Sequence, residues 1–145
     1  MIRQAPAIIT GKPVSEKGGR MGTNIVAAWI GFLMGCIAGA VPGLLFYEKE
    51  WLGGYASWPR RMIRLAHIAF FGIALLNIAF AFTIRTFGLD RDAKIPSLLL
   101  IAGAVTMPLI CYLSAWKPVF RHVFFIPAVC VILAVWLVLW RISGL

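Results

Sequence analysis

Long apolar stretches alternate with short polar ones along the chain, and this pattern predicts four membrane-spanning helices. Each apolar stretch has at least the ~20 residues that a helix needs to cross a bilayer. The predicted helices cover residues 24–46, 62–84, 95–116 and 119–142. Because the connections between them are short, we expect an all-α, antiparallel up-down-up-down bundle that forms one domain over residues 24–145.

The polar residues 1–23 precede the first predicted helix. They are basic and contain Pro6, Pro13 and four glycines, which predicts a largely unstructured tail. Two alternatives concern this end of the chain. The run Ala38-Gly39-Ala40 resembles a signal-peptidase site, in which case the first apolar stretch would be a cleaved signal peptide. Met21 is an alternative start.

Composition favours an integral membrane protein. Of the 145 residues, 61% are hydrophobic and 13% are charged, against about 45–50% and about 25% in soluble domains. The net charge is +9, but the basic residues lie in the tail, the connections and the helix ends. That distribution suits anionic lipid headgroups and lacks the continuous patch that binds nucleic acid. Three isolated cysteines indicate neither a disulfide framework nor a zinc site.

A row of small residues at four-residue spacing marks the first predicted helix. Positions i and i+4 share one face of a helix, so the row forms a continuous strip without large side chains. Small residues allow close helix packing in membranes. We therefore predict that this glycine face packs on another helix of the bundle or on a neighbouring subunit. Its members are Ala27, Gly31, Gly35, Gly39 and Gly43.

Two histidines are candidate ligands. His67 and His122 lie near the starts of the second and fourth predicted helices, which run in the same direction and so begin at the same membrane surface. Paired histidines on a helix bundle bind b-type haem, or a copper ion. A histidine near a helix end also reaches interfacial water and needs no ligand to explain it. The candidate contacts to haem propionates or to lipid phosphates are Arg60, Arg61, Arg64 and Arg121.

Polar chemistry within the predicted helices is sparse. All five acidic residues lie in the tail or the connections, which disfavours a proton-coupled carrier because such carriers use an ionisable group deep in the membrane. Asn77 is predicted to make an interhelical hydrogen bond. The sequence contains no catalytic triad pattern, HExxH, Walker loop or GxGxxG motif, and we expect no enzymatic activity.

These observations predict a structural or accessory subunit of a larger membrane complex, such as a respiratory or redox complex. Its partners would be other membrane subunits or further copies of the chain. The alternatives are a b-type haem protein that transfers electrons and, more weakly, a small channel or carrier lined by the Asn77 face. We expect a bacterial inner membrane. Eight basic residues against six favour a cytoplasmic N-terminus, and a start at Met21 would reverse that preference.

Overall fold

The computed structural model describes residues 19–89 and 93–144. Its α-helices are α1 (Gly19–Gly43), α2 (Trp58–Phe87), α3 (Lys94–Trp116) and α4 (Phe125–Ser143). Two 3-10 helices, Trp51–Gly53 and Pro118–Val123, precede α2 and α4. Within these residues, four helical spans are long and apolar enough to cross a membrane. The predicted all-α, multi-pass integral membrane protein, surrounded by a lipid bilayer, is confirmed.

The helices form an antiparallel four-helix bundle in which α2 and α3 are central. α1 packs on α2, α2 on α3, and α3 on α4, with a smaller contact between α1 and α3. Gly31 approaches Ala74, whereas Gly39 approaches His67. A later residue of α1 therefore contacts an earlier residue of α2, as expected for two antiparallel helices. A buried core cluster then joins α2, α3 and α4. It consists of Phe80, Ile84, Ala93, Leu100 and Ala134.

The first helix is displaced toward the N-terminus relative to the prediction. It begins at Gly19 rather than at residue 24, and it ends at Gly43 rather than at residue 46. The added first turn is polar, so hydropathy alone could not mark it. Pro42 lacks an N–H and crowds the preceding turn, and the Leu45 N–H donates to its carbonyl at 2.9 Å as the helix ends. Of the predicted unstructured tail, residues 1–18 lie outside the described part of the chain.

Local signals define both ends of α2. The Ser57 hydroxyl accepts a hydrogen bond from the Arg60 N–H at 3.4 Å, and Pro59 lies in the first turn, where its missing N–H costs little. Gly88 ends the helix at φ +64°, and its N–H donates to the Ile84 carbonyl. The resulting helix has 30 residues, which is about 45 Å of rise, and extends past residues 62–84 at both ends.

The predicted fourth helix is divided in two. Residues Pro118–Val123 form a 3-10 helix, and α4 begins only at Phe125. Pro127 explains the division, since proline is accepted in the first turn of an α-helix but not in its interior. His122 therefore lies in the 3-10 helix, not in the first turn of a continuous span as the sequence predicted.

Burial is uneven among the helices. Only 11% of the most apolar window of the fourth span is buried, against 22% for the first and 39% for the second. Large apolar side chains point outward, including Trp29 and Trp140, which are each 65% exposed. In a membrane these surfaces face lipid or other protein, and α4 has the most of its surface left for such contacts.

Candidate functional site

Three members of the glycine face pack directly on α2. A Cβ at Gly31 would lie 3.1 Å from the Ala74 Cβ, one at Gly35 would lie 2.7 Å from the Phe71 ring, and one at Gly39 would lie 2.5 Å from Cε1 of His67. Side chains at these positions would displace their neighbours. The partner of the strip is thus another helix of the same bundle.

The two ends of the predicted strip differ from its middle. Gly43 is exposed, and a Cβ there would meet no atom within 4 Å among the described residues. Ala27 is half-buried. The close approach of α1 to α2 is therefore concentrated in the two turns from Gly31 to Gly39.

His67 is held against α1 by a hydrogen bond and a ring contact. Its Nδ1 lies 2.9 Å from the Gly35 carbonyl oxygen. A carbonyl can only accept, so Nδ1 carries the hydrogen and donates. The Phe71 ring meets the imidazole edge-on at 5.2 Å between centroids. This arrangement orients the ring and leaves Nε2 as the nitrogen available to any further partner.

A small cavity of about 120 Å³ adjoins His67. It lies between the C-terminal part of α1 and the first turns of α2. Its lining residues are Ala38, Gly39, Pro42, Phe46, Ile63, Arg64 and His67. Typical cofactor pockets hold about 300–1,000 Å³, so this cavity is sized for a small group.

Arg60 is buried and binds the connection between α1 and α2. Only 3% of the residue is exposed. Its guanidinium donates to the backbone carbonyls of Trp51 and Glu48 and lies 5.3 Å from the centroid of the Trp51 ring and 6.0 Å from that of Phe46. Arginine with several N–H donors can satisfy multiple carbonyls at once. Arg60 therefore anchors this connection over the end of the bundle.

The other three predicted arginines have different surroundings. Arg64 lies 4.2 Å from the Tyr55 ring centroid and donates to the Tyr55 carbonyl at 3.3 Å. Arg61 is exposed. Arg121 is also exposed, and its Nε donates to Nε2 of the neighbouring His122 at 3.4 Å. Of the four arginines, Arg64 alone lines the cavity beside His67.

The two histidines do not share this cavity. His122 is exposed in the 3-10 helix Pro118–Val123, which packs on α3, whereas the residues that line the cavity belong to α1, α2 and the connection between them. His67 has one feature that ligating histidines share, a hydrogen bond from the other ring nitrogen to a carbonyl. Bis-histidine haem binding stays a prediction without a common pocket to support it.

Three buried polar side chains join α1, α2 and α3. The Asn24 amide donates to the Asn77 side-chain oxygen at 2.7 Å, and the Ser97 hydroxyl donates to the Asn24 oxygen. Asn77 also donates to the Ile73 carbonyl at 2.9 Å. Both asparagines are 0% exposed. The predicted interhelical role of Asn77 thus has a specific geometry, and the residue does not face an open path between the helices.

Sequence reasoning missed Asn24, Ser97 and Gly103 as packing residues. Asn24 was visible only as the polar start of an apolar run, and its partners lie 53 and 73 positions away. Gly103 is where α4 approaches α3, since a Cβ there would lie 2.7 Å from Val131. The signal for it was the run of small residues Ala102-Gly103-Ala104.

An apolar groove of about 230 Å³ lies between α2 and α4, with α3 contributing one residue. Small residues, Ala79 and Ala134, are part of its wall. The full lining is Leu76, Ala79, Phe80, Thr83, Leu100, Ala134, Val135, Val138, Leu139 and Ile142. It is larger than the cavity beside His67, and no charged side chain is among its lining residues.

Within residues 19–89 and 93–144, no three His, Cys, Asp or Glu side chains lie close enough to form a metal-binding group. Cys36 is exposed, Cys130 is half-buried and Cys111 is buried, and all three are free thiols. Comparison of the chain with protein-family models, with curated proteins and with solved structures finds no match.

Proposed function

We propose that this protein is a non-enzymatic accessory subunit of a larger membrane complex. The proposal is based on the apolar groove between α2 and α4. α4, which forms one wall of the groove, packs chiefly on α3. The occupant we assign to the groove is a transmembrane helix of another subunit. Small residues in the wall favour this choice, because they let a helix backbone come close.

The use of polar groups inside the bundle supports the same proposal. Asn24, Asn77 and Ser97 bond to one another, His67 bonds to the α1 backbone, and Arg60 bonds to the connection before α2. These groups hold the fold together and leave little for proton transfer or substrate binding. Function then resides in the apolar outer surfaces. A bacterial inner membrane and a cytoplasmic N-terminus are part of the proposal.

Site-specific photocrosslinking in native membranes tests the proposal. A photoreactive phenylalanine analogue replaces Val135 in the groove or, as the control, Leu33 on α1, which is 61% exposed. We expect a discrete adduct with one membrane polypeptide from position 135 and only lipid adducts from position 33. Filling the groove with Ala79→Phe should abolish the adduct.

Two results would refute the assignment of a partner helix. One is lipid labelling alone at both positions, and the other is a polypeptide adduct that persists unchanged in Ala79→Phe. An adduct whose mass is that of a second copy of this chain would identify a homo-oligomer in place of a heteromeric complex.

A further inference from the structure

The cavity of about 120 Å³ between α1 and α2 has one polar side and one apolar side. Arg64 and His67 supply the polar side from α2, and Phe46 and Ile63 are among the apolar residues. Arg64 lies about 9 Å and His67 about 14 Å from the start of α2, at 1.5 Å of rise per residue. A bilayer with its headgroups is about 40–45 Å thick, of which about 30 Å is hydrocarbon. In a helix about as long as that total, Arg64 is expected near the boundary between headgroups and acyl chains and His67 somewhat deeper.

Arg64 contacts Tyr55 and has hydrogen-bond donors to spare. It rests on Tyr55 and gives one bond to the Tyr55 carbonyl, while a guanidinium has five N–H groups. Within the described part of the chain no carboxylate pairs with it. A guanidinium without a carboxylate partner is well suited to phosphate, which it can bind through two parallel bonds.

His67 offers the opposite character at the same cavity. Its Nδ1 hydrogen is already committed to the Gly35 carbonyl. In a neutral imidazole this leaves Nε2 as an acceptor. Because positions 64 and 67 are three residues apart, both side chains lie on one face of α2. The cavity is therefore lined by a cationic donor, Arg64, and by a ring nitrogen of His67 that can accept a hydrogen bond from a hydroxyl.

The ligand that complements this pair carries a phosphate and a nearby hydroxyl. We propose that the cavity binds the phosphoglycerol headgroup of an anionic membrane lipid. The phosphate oxygens accept from Arg64, and a glycerol hydroxyl donates to Nε2 of His67. The apolar residues Phe46 and Ile63 border the same site and favour the lipid over free glycerol phosphate. Arg60 cannot take this role because it is buried by the connection it holds, and Arg61 does not line the cavity.

Native mass spectrometry of the full chain, released from neutral detergent micelles, measures the binding. The probes are phosphatidylglycerol, phosphatidylcholine, diacylglycerol and soluble glycerol phosphate. We expect phosphatidylglycerol to be retained at least about tenfold more strongly than phosphatidylcholine or diacylglycerol, since each of these lacks one of the two recognised groups. Soluble glycerol phosphate should displace it only at a large excess.

Two substitutions on the same helix form a matched pair. Arg64→Gln removes the cationic donor from the cavity, and Arg61→Gln removes an equal charge one turn nearer the start of α2, at an exposed residue that does not line the cavity. We expect retention of phosphatidylglycerol to fall about tenfold in Arg64→Gln and less than about twofold in Arg61→Gln. Arg64→Lys keeps the charge without the two-pronged geometry and should fall between them.

Equal losses in Arg64→Gln and Arg61→Gln would overturn the proposal, because they would show a general response to surface charge. Equal retention of phosphatidylglycerol and phosphatidylcholine by the unaltered protein would also overturn it, and this comparison needs no variant to fold. Displacement by soluble glycerol phosphate at concentrations similar to the lipid would replace the membrane lipid with a water-soluble ligand of the same chemistry.

Discussion

Replacing Gly39 with alanine should disrupt the contact between α1 and α2. The new Cβ would lie 2.5 Å from Cε1 of His67, 3.0 Å from its Nδ1 and 3.3 Å from its Nε2. The imidazole must move, and the hydrogen bond from Nδ1 to the Gly35 carbonyl at 2.9 Å is strained or lost with it.

Three contributions determine the change in the free energy of unfolding, two of them destabilising and one stabilising. Overpacking a close contact costs about 1–3 kcal/mol, and losing the hydrogen bond costs about 1 kcal/mol. Alanine gains about 1 kcal/mol over glycine in helix propensity. The net expectation for Gly39→Ala is a loss of about 1–3 kcal/mol in the free energy of unfolding.

Gly43→Ala is the matched control on the same strip. No described atom lies within 4 Å of its added Cβ, so only helix propensity acts, and the variant should be between neutral and about 1 kcal/mol more stable. SDS titration of the protein in mixed micelles, followed by circular dichroism, compares the two variants. Equal stability of Gly39→Ala and Gly43→Ala would refute the packing argument.

A double-mutant cycle identifies the clashing partner. In the His67→Ala background the imidazole is absent, so Gly39→Ala should cost at least about 1 kcal/mol less than in the unaltered protein. An unchanged cost in that background would show that the clash is with a group other than His67.

Three polar contacts are tested with further variants, by the same SDS titration or by hydrogen exchange. Asn77→Ala should lower the free energy of unfolding by about 1–2 kcal/mol, because its interhelical hydrogen bond is lost. Thr106→Val is the control: the Thr106 hydroxyl bonds only within α3, so this change should alter the free energy by less than about 0.5 kcal/mol. Equal effects of the two substitutions would contradict the interhelical role of Asn77. Arg60→Gln should speed amide exchange in residues 44–57, and Arg61→Gln should leave it unchanged; slow exchange in both would show that the connection does not depend on Arg60. Trp58→Phe removes the indole N–H bond to α3 and should cost about 0.5–1.5 kcal/mol; no loss would mean that this bond adds nothing to stability.

The membrane fold was readable from the sequence because the bilayer imposes a strong and simple constraint. Four apolar stretches of spanning length predict four helices whatever their detailed packing. The boundaries were harder to predict. Hydropathy does not register the polar first turn of α1, and the division at Pro127 depends on where a proline is allowed within a helix.

The candidate site was readable in part. Four-residue spacing of glycine predicts a close-packing face, and the structure places Gly31, Gly35 and Gly39 against α2. The spacing does not show how much of such a face contacts another helix, so the exposed position of Gly43 could not be predicted. Partners distant in the chain, such as Asn24 and Ser97, leave no periodic signal and emerge only from the packing of three helices.

The pairing of His67 with His122 illustrates the same limit. Counting residues from helix ends places both histidines toward one membrane surface, but it does not give the azimuth of each side chain. His67 turns toward the glycine face of α1, and His122 lies exposed in a 3-10 helix that packs on α3. The depth of a side chain in the membrane can be predicted from the sequence, whereas the direction in which it points depends on tertiary packing.

The polar groups of this bundle, His67 above all, hold its helices together, and we propose that the protein acts through its surfaces. An absorption spectrum distinguishes this role from haem binding. The protein is produced in cells supplied with haem, purified in mild detergent and recorded oxidised and dithionite-reduced, with His67→Ala and His122→Ala alongside. We expect no Soret band, and reduced stability for His67→Ala alone. A Soret band with sharp α and β bands on reduction, lost in both variants, would contradict it.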